Sequence, residues 1–340
     1  MNTGPRNATR RFSRRALPDF FAAFAMATNI NGVRRRDLAS LAPCLGTLAP
    51  LTLCGMPSKP AITLIGAGNL GTSLALALHA AGYRIDEIVS RPAPASLRRA
   101  SALARQVGSE ASTWADARLA ARVIWLCVPD DAIAPCARRL AQHGSWRGRV
   151  CLHSSGALSS GLLRPLARRG AAVATLHPMQ SFVRSAPAPM RGLWFGVEGS
   201  PAAVRAARRI ARDLGGRVLA IDPRNKALYH ALGSFSSPML VAVLALAEQI
   251  AREAAIPPRA RRCLMEPILR RTLDNYFRHG AAAAFSGPLV RGDVTTVRAH
   301  LAALRRVPGA LDVYKSLVRS ALKTLPVGNR KRIAALVARR

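Results

Sequence analysis

From Lys59 onward the chain alternates short apolar runs with alanine- and arginine-rich stretches of helical length, the pattern of a doubly wound parallel sheet. Residues 61–65 read as the first strand, 70–80 as an apolar helix closing near Gly82, and 83–89 as the returning second strand. The runs RVIWLCV at 122–128, RVCLH at 149–153 and AVATLH at 172–177 continue the strands. Helices are predicted between them at 95–107, 132–142 and 160–169. Two more strands, at 192–197 and 217–221, flank a helix at 201–214.

After Pro223 the strand signals stop and helical patterns cover 226–254, 259–278 and 294–306. In the first, Leu228, Leu232, Phe235, Met239, Val243 and Ala247 recur at helical spacing, and Pro238 forces a kink or a break. That stripe is either core or a helix-exchange interface between two copies. The expected organisation is a sheet domain at 59–185, a sheet extension or linker at 186–222, an all-helical C-terminal domain at 223–325 and a basic tail at 326–340. Residues 1–58 form a separate basic extension. Its RRFSRR and VRRR runs and its Pro43 and Pro50 fit a twin-arginine signal, a lipoprotein signal and a spanning helix poorly. MPSKPAITLIGAGNLG instead marks Met56 as the expected natural start.

The chain has 340 residues, half of them apolar, enough for two domains and a core without disulfide or metal staples. Its net charge of +34 would attract phosphate, but the lysines are confined to Lys59, Lys226, Lys315, Lys323 and Lys331. A surplus that is nearly all arginine, in a chain equally rich in alanine, reflects a composition bias. Aromatics make up 5%, which leaves few stacking platforms, so no specific nucleic-acid partner is expected. Cys44, Cys54, Cys127, Cys136, Cys151 and Cys263 form no C-x-x-C pair and read as reduced thiols of a cytoplasmic protein. Neither a metal site nor a membrane partner is expected.

GAGNLG, spanning Gly66, Gly68, Asn69, Leu70 and Gly71, follows a strand and opens a helix, the setting in which a glycine pattern cradles a dinucleotide. Gly66 permits the tight turn, Gly68 lets amides approach a pyrophosphate, and Gly71 allows close helix–strand packing. The expected fold class is thus a Rossmann domain followed by an all-helical domain. The second strand ends in Ser90-Arg91, where an NAD site carries a carboxylate for the ribose hydroxyl; Asp86 and Glu87 fall too early. A hydroxyl and a guanidinium suit a 2′-phosphate, so NADP(H) is the expected cofactor.

Ligands of open α/β sheets lie beyond the carboxyl ends of the strands. Val128-Pro129, before Asp130 and Asp131, is expected on the cofactor path. His153 and Ser154, followed by Ser155 and Gly156, set an imidazole beside hydroxyls, with a helix-capping loop as the alternative reading. His177 is a candidate proton donor, with Gln180 beside it as a substrate ligand. In the helical region Lys226 and His230, four apart, share a helix face, whereas Tyr229 reads as packing. Arg291 is a candidate carboxylate clamp, and Asp293 a substrate ligand or the cap of a helix carrying Thr296 and His300.

GAGNLG, VPDD, HSSGAL, HPMQSF, FGVEG, K-x-x-Y-H and SGPLVRGD together resemble Rossmann-like proteins bearing a C-terminal domain of unknown function numbered 2520, over about residues 61–304. These are similar to pyrroline-carboxylate reductases, deazaflavin-dependent NADP reductases, prephenate dehydrogenases and 6-phosphogluconate dehydrogenases. The resemblance implies a nucleotide-binding domain, a helical dimerising domain and a site between them. Ser236-Ser237-Pro238 departs from the small-residue-plus-asparagine step of that family. The expected function is an NADP(H)-dependent oxidoreductase reducing a small, carboxylated carbonyl or imine compound as a homodimer. A prephenate dehydrogenase-like or ketopantoate reductase-like enzyme, or a non-catalytic NADP(H) sensor, is the alternative.

Overall fold

The computed structural model describes residues 59–183 and 186–338. The N-terminal extension and the Met56 start lie outside the described residues. Eight strands form one sheet in the order β3-β2-β1-β4-β5-β6-β7-β8. They are β1 (Ile62–Ile65), β2 (Ile85–Ser90), β3 (Glu110–Thr113), β4 (Val123–Leu126), β5 (Val150–His153), β6 (Ala172–Pro178), β7 (Trp194–Gly199) and β8 (Arg217–Ala220). β1 and β4 are buried at every position, apolar but for Thr63, and paired with each other at the centre, as strands covered on both faces must be.

One face is covered by α1 (Asn69–Ala80), α2 (Pro94–Gln106) and α4 (Pro201–Asp213), whose Leu74, Leu103 and Ile210 join Trp125 and Phe195 in a continuous core. The other is covered by α3 (Asp130–Leu140) and a turn of helix at 160–167, packed on Ile124, Leu126 and Trp146. Two features depart from the expected parallel sheet. β7 runs antiparallel to β6, because a loop returns the chain there without a crossover helix. β3, with sequence EAST, has no apolar run and sits at the sheet edge, where burial does not demand one.

The helical region begins with α5 (Lys226–Ser236), α6 (Pro238–Glu253) and α7 (Pro258–Ala284). The break falls at Ser237 (φ −133°, ψ −84°), since a residue before proline is pushed out of the helical region. α8 (Val294–Ala303), α9 (Ala310–Thr324) and α10 (Arg330–Ala338) complete it. The basic tail expected at 326–340 is instead largely helix. Ile333 and Val337 of α10 are buried with Val297 of α8 and Val318 of α9, an apolar spacing that the surrounding arginines hide. The stripe on α5 and α6 does not enter the core of this chain: Leu228 is 75% exposed and Phe235 76%. α7 buries no residue at all, and its Phe277 is 80% exposed.

Candidate functional site

The glycine turn has the geometry its sequence demands. Gly66 sits at φ +107°, and a Cβ there would lie 2.5 Å from the Cys127 carbonyl oxygen; one at Gly71 would lie 2.1 Å from the Gly66 oxygen. Side chains at these positions would push α1 off the sheet. Gly68 meets nothing within 4 Å, so it faces open space. No side chain caps α1 at its N-terminus and its first turn holds no acid, which leaves amide donors and the partial positive end of the helix turned to that space. This arrangement fits a diphosphate.

β2 ends at Ser90, as the strand pattern predicts, with exposed Arg91 next. Glu87 is buried and accepts bonds from the backbone amides of Arg118 (3.0 Å) and Leu119 (3.1 Å), and Asp86 pairs with Arg84. Both carboxylates are engaged inside the sheet and away from the strand end. Asn69 turns its amide to the Phe182 carbonyl (3.1 Å), tying the loop after β6 to the start of α1. Leu70 packs on the core, Val128 against Ile124 and its neighbours, and Pro129 precedes α3.

At the end of β5, His153 is fully buried. The Ser155 amide donates to its Nδ1 (3.2 Å), and its Nε2 lies 3.1 Å from the Ser159 carbonyl oxygen. An amide can only donate and a carbonyl can only accept, so Nε2 carries the proton and both nitrogens are occupied. Burial lowers its pKa to about 4, with the Lys226 charge adding to the effect. His153 therefore holds a loop and has no nitrogen left for a substrate, which is the loop-capping alternative. Ser154 is buried too, its Oγ accepting from Trp125 Nε1 at 2.8 Å. Ser155 donates to Asp130 (3.0 Å) and accepts from the Leu158 amide, closing the turn.

At the end of β6, His177 is half-buried, its Nδ1 3.0 Å from the Tyr229 hydroxyl and its ring edge-on to His230 at 5.9 Å between centroids. A Cβ on Gly156 would lie 2.6 Å from His230 Cδ2 and 2.9 Å from His177 Nε2. Another on Gly196 would lie 2.6 Å from the Tyr229 hydroxyl, and one on Gly233 2.9 Å from Met179 Sδ. Three missing side chains thus let α5 settle directly on the strand ends. Burial lowers the His177 pKa to about 4, with the His230 and Lys226 charges contributing, and burial raises that of Tyr229 to about 12. His177, Gln180, Ser181, His230, Ser234 and Val241 are among the walls of an open cleft of about 760 Å³.

Lys226 does not reach this cleft. It is 1% exposed, and its Nζ donates to Thr175 Oγ1 (3.0 Å) and the Ser155 carbonyl (3.2 Å), 3.8 Å from Glu198. Glu198 in turn accepts from the Ser160 amide and hydroxyl. A lysine committed to an ion pair under the sheet end anchors α5, and a proton-donor role would require it to leave that pair. Arg291 and Asp293 do not line the cleft within one chain. Asp293 caps α8 through the Thr296 amide (2.9 Å) and hydroxyl (2.6 Å), and Arg291 is exposed. Glu198 and Thr175 belong to the site although the sequence reading passes over them, and Tyr229, read there as packing, lies against His177 instead. The signal for Tyr229 is its spacing: a residue three beyond Lys226 shares its helix face as fully as one four beyond.

Residues 46–178 match a Rossmann-like domain and residues 193–321 match a domain of unknown function (DUF2520). Among solved structures the chain is similar to a Bacteroides fragilis protein described as an NADP oxidoreductase, at 25% identity and a TM-score of 0.67, covering 77% of this chain and 98% of that one. It also shares its fold with a reductive aminase from Aspergillus terreus in complex with NADPH and ethyl-5-oxohexanoate (19% identity, TM-score 0.57, 82% and 99% covered). A pyrroline-5-carboxylate reductase from Coxiella burnetii is a further relative in fold (17%, 0.51, 82% and 97%). No curated protein matches.

Proposed function

We propose that this chain, which joins a Rossmann-like domain to a domain of unknown function (DUF2520), is an NADP(H)-dependent oxidoreductase reducing a small carbonyl or imine compound in the cleft between β6 and α5. The observation that carries the reading is the uncapped, acid-free first turn of α1 behind Gly68, with Ser90-Arg91 where a ribose carboxylate would otherwise stand. Gly66, Gly68 and the amides of Asn69 and Leu70 hold the diphosphate, Arg91 holds the 2′-phosphate, with the buried Ser90 hydroxyl donating to the Arg91 carbonyl (3.2 Å) and free for the phosphate only by turning from it, and Val128-Pro129 flank the path toward the cleft.

When bound, the nicotinamide supplies a hydride. The chain's own residues receive the substrate. In this reading the Tyr229 hydroxyl, 3.0 Å from His177 Nδ1 and 3.4 Å from the His177 carbonyl oxygen, is the donor to Nδ1, which would put the ring proton on Nε2, beside Gly156 and His230. Held neutral by burial, His177 orients the carbonyl oxygen or imine nitrogen by a hydrogen bond, and Gln180 and His230 supply further polar contacts. Lys226 and His153 fix the loops around it. With Arg291 outside the cleft, a carboxylate on the substrate is not part of this reading.

The enzyme works as a homodimer through the exposed faces of α5, α6 and α7. Their apolar side chains sum to on the order of 1,000 Å² of exposed area, against about 800 Å² per partner in a stable interface. The 223–253 segment also has the length and mean hydropathy (1.5) of a membrane span, but the Ser237 break divides it and Lys226 pins its start to the sheet.

The test is a titration of the purified protein with NADPH and with NADH, followed by cofactor fluorescence. NADPH binds more tightly, and Arg91→Ala removes the preference by about tenfold or more. Failure to bind either nucleotide would end the oxidoreductase reading.

A further inference from the structure

We infer that Arg99 is a second phosphate-binding residue of the nucleotide site, holding the diphosphate bridge common to NADPH and NADH, while Arg91 reads the 2′-phosphate. The inference rests on the cofactor reading above and assigns a residue outside the glycine motif and outside the end of β2.

Arg99 lies on α2 beside Ala100, Leu103 and Ala104, the positions that bury against the sheet. That register puts it at the margin of the packed face, where α2 meets α1. There it lines a trough of about 280 Å³ together with Gly68, which precedes α1, and Asn69 and Thr72 in its first turn. Val183 and Pro187, from the loop after β6, also line it. That loop is fastened to α1 at two points: Asn69 Nδ2 donates to the Phe182 carbonyl (3.1 Å), and the Ala188 amide donates to Ser73 Oγ (3.1 Å). The trough thus brings together the backbone at the start of α1, the apolar side chains of Val183 and Pro187, and the Arg99 guanidinium.

The charge of Arg99 is uncompensated there. Its side-chain partner among the described residues is the Ser96 hydroxyl, at 3.4 Å, which is neutral and at the limit of hydrogen-bond length. Asn69 commits one of its two amide hydrogens to the Phe182 carbonyl. A planar fork that shares so small a volume with the amides at the start of α1 suits the bidentate binding of a phosphate. Arg91 does not line this trough; it follows β2, where the ribose of a dinucleotide lies. Two arginines therefore stand at two different phosphates.

The test uses the full chain and both reduced nucleotides, with dissociation constants read from cofactor fluorescence for the wild type, Arg99→Ala and Arg91→Ala. Arg99→Ala weakens NADPH and NADH by the same factor, about tenfold, and flattens the salt dependence of both. Arg91→Ala weakens NADPH alone. Arg99 is exposed, so its variant keeps the wild-type circular dichroism and melting curve, which are recorded alongside. Unchanged affinities in Arg99→Ala, or a loss confined to NADPH, would overturn the assignment while leaving the cofactor reading intact. A wild type that binds neither nucleotide overturns both.

Discussion

His153 shows how a polar residue at a strand end becomes structure. Both ring nitrogens are engaged, no water reaches it, and its pKa drops from about 6.5 to about 4. The folded pKa of a base lies below the unfolded one, so between these values the unfolded chain binds the proton that the native chain refuses. Stability is complete above about pH 6.5 and is lost as the pH falls through that window, by about 3 kcal/mol for a shift of this size. His177 adds to the same loss. The urea midpoint at pH 4.5 is therefore well below that at pH 7, in a range above the titration of the carboxylates whose pKa values are lowered. Equal midpoints would show that both rings stay as solvated as in the unfolded chain. The sequence places His153 and His177 correctly at strand ends, but it cannot tell an imidazole facing a cleft from one turned onto its own loop. That distinction depends on Ser155 and Ser159, whose backbone groups choose the tautomer.

The elements around the sheet were largely readable because their apolar periods are strong, and the exceptions have physical reasons. β3 escapes as an edge strand with little to bury, and α10 escapes because Arg330, Lys331 and Arg332 open it and mask the short spacing of Ile333 and Val337. The seating of α5 was not readable, since it rests on contacts between residues far apart in sequence: Lys226 with Thr175 and Ser155, Tyr229 with His177. Lys226→Met leaves Glu198 buried without its cation and destabilises the fold by about 3–5 kcal/mol in chemical denaturation. Lys226→Met combined with Glu198→Gln recovers most of that loss, because the glutamine oxygen still accepts from Ser160 while the stranded charge is gone. A double variant no more stable than the single one would mean that Thr175 and Ser155, and not the ion pair, anchor the helix.

At the scale of the whole molecule the sheet half is closed on both faces and the helical half is not. The sequence leaves the α5–α6 stripe as core or interface; the structure excludes the core of this chain, since the stripe is exposed. Light scattering on detergent-free protein then gives twice the 36.3 kDa chain mass, and Phe235→Asp with Phe277→Asp shifts it toward one copy. A monomer in the wild type, or a dependence on detergent for solubility, would discard the dimer and turn attention to a bilayer.

Gly156, Gly196 and Gly233 leave no slack where α5 meets the strand ends, so the histidine side of the cleft is a fixed datum. The facing wall, from Ser234 through the Ser237 break to Val241, carries no such constraint. Divergence among related chains in what they accept therefore has one place to accumulate: the α5–α6 elbow can be rewritten residue by residue while the reacting geometry beneath it is inherited unchanged.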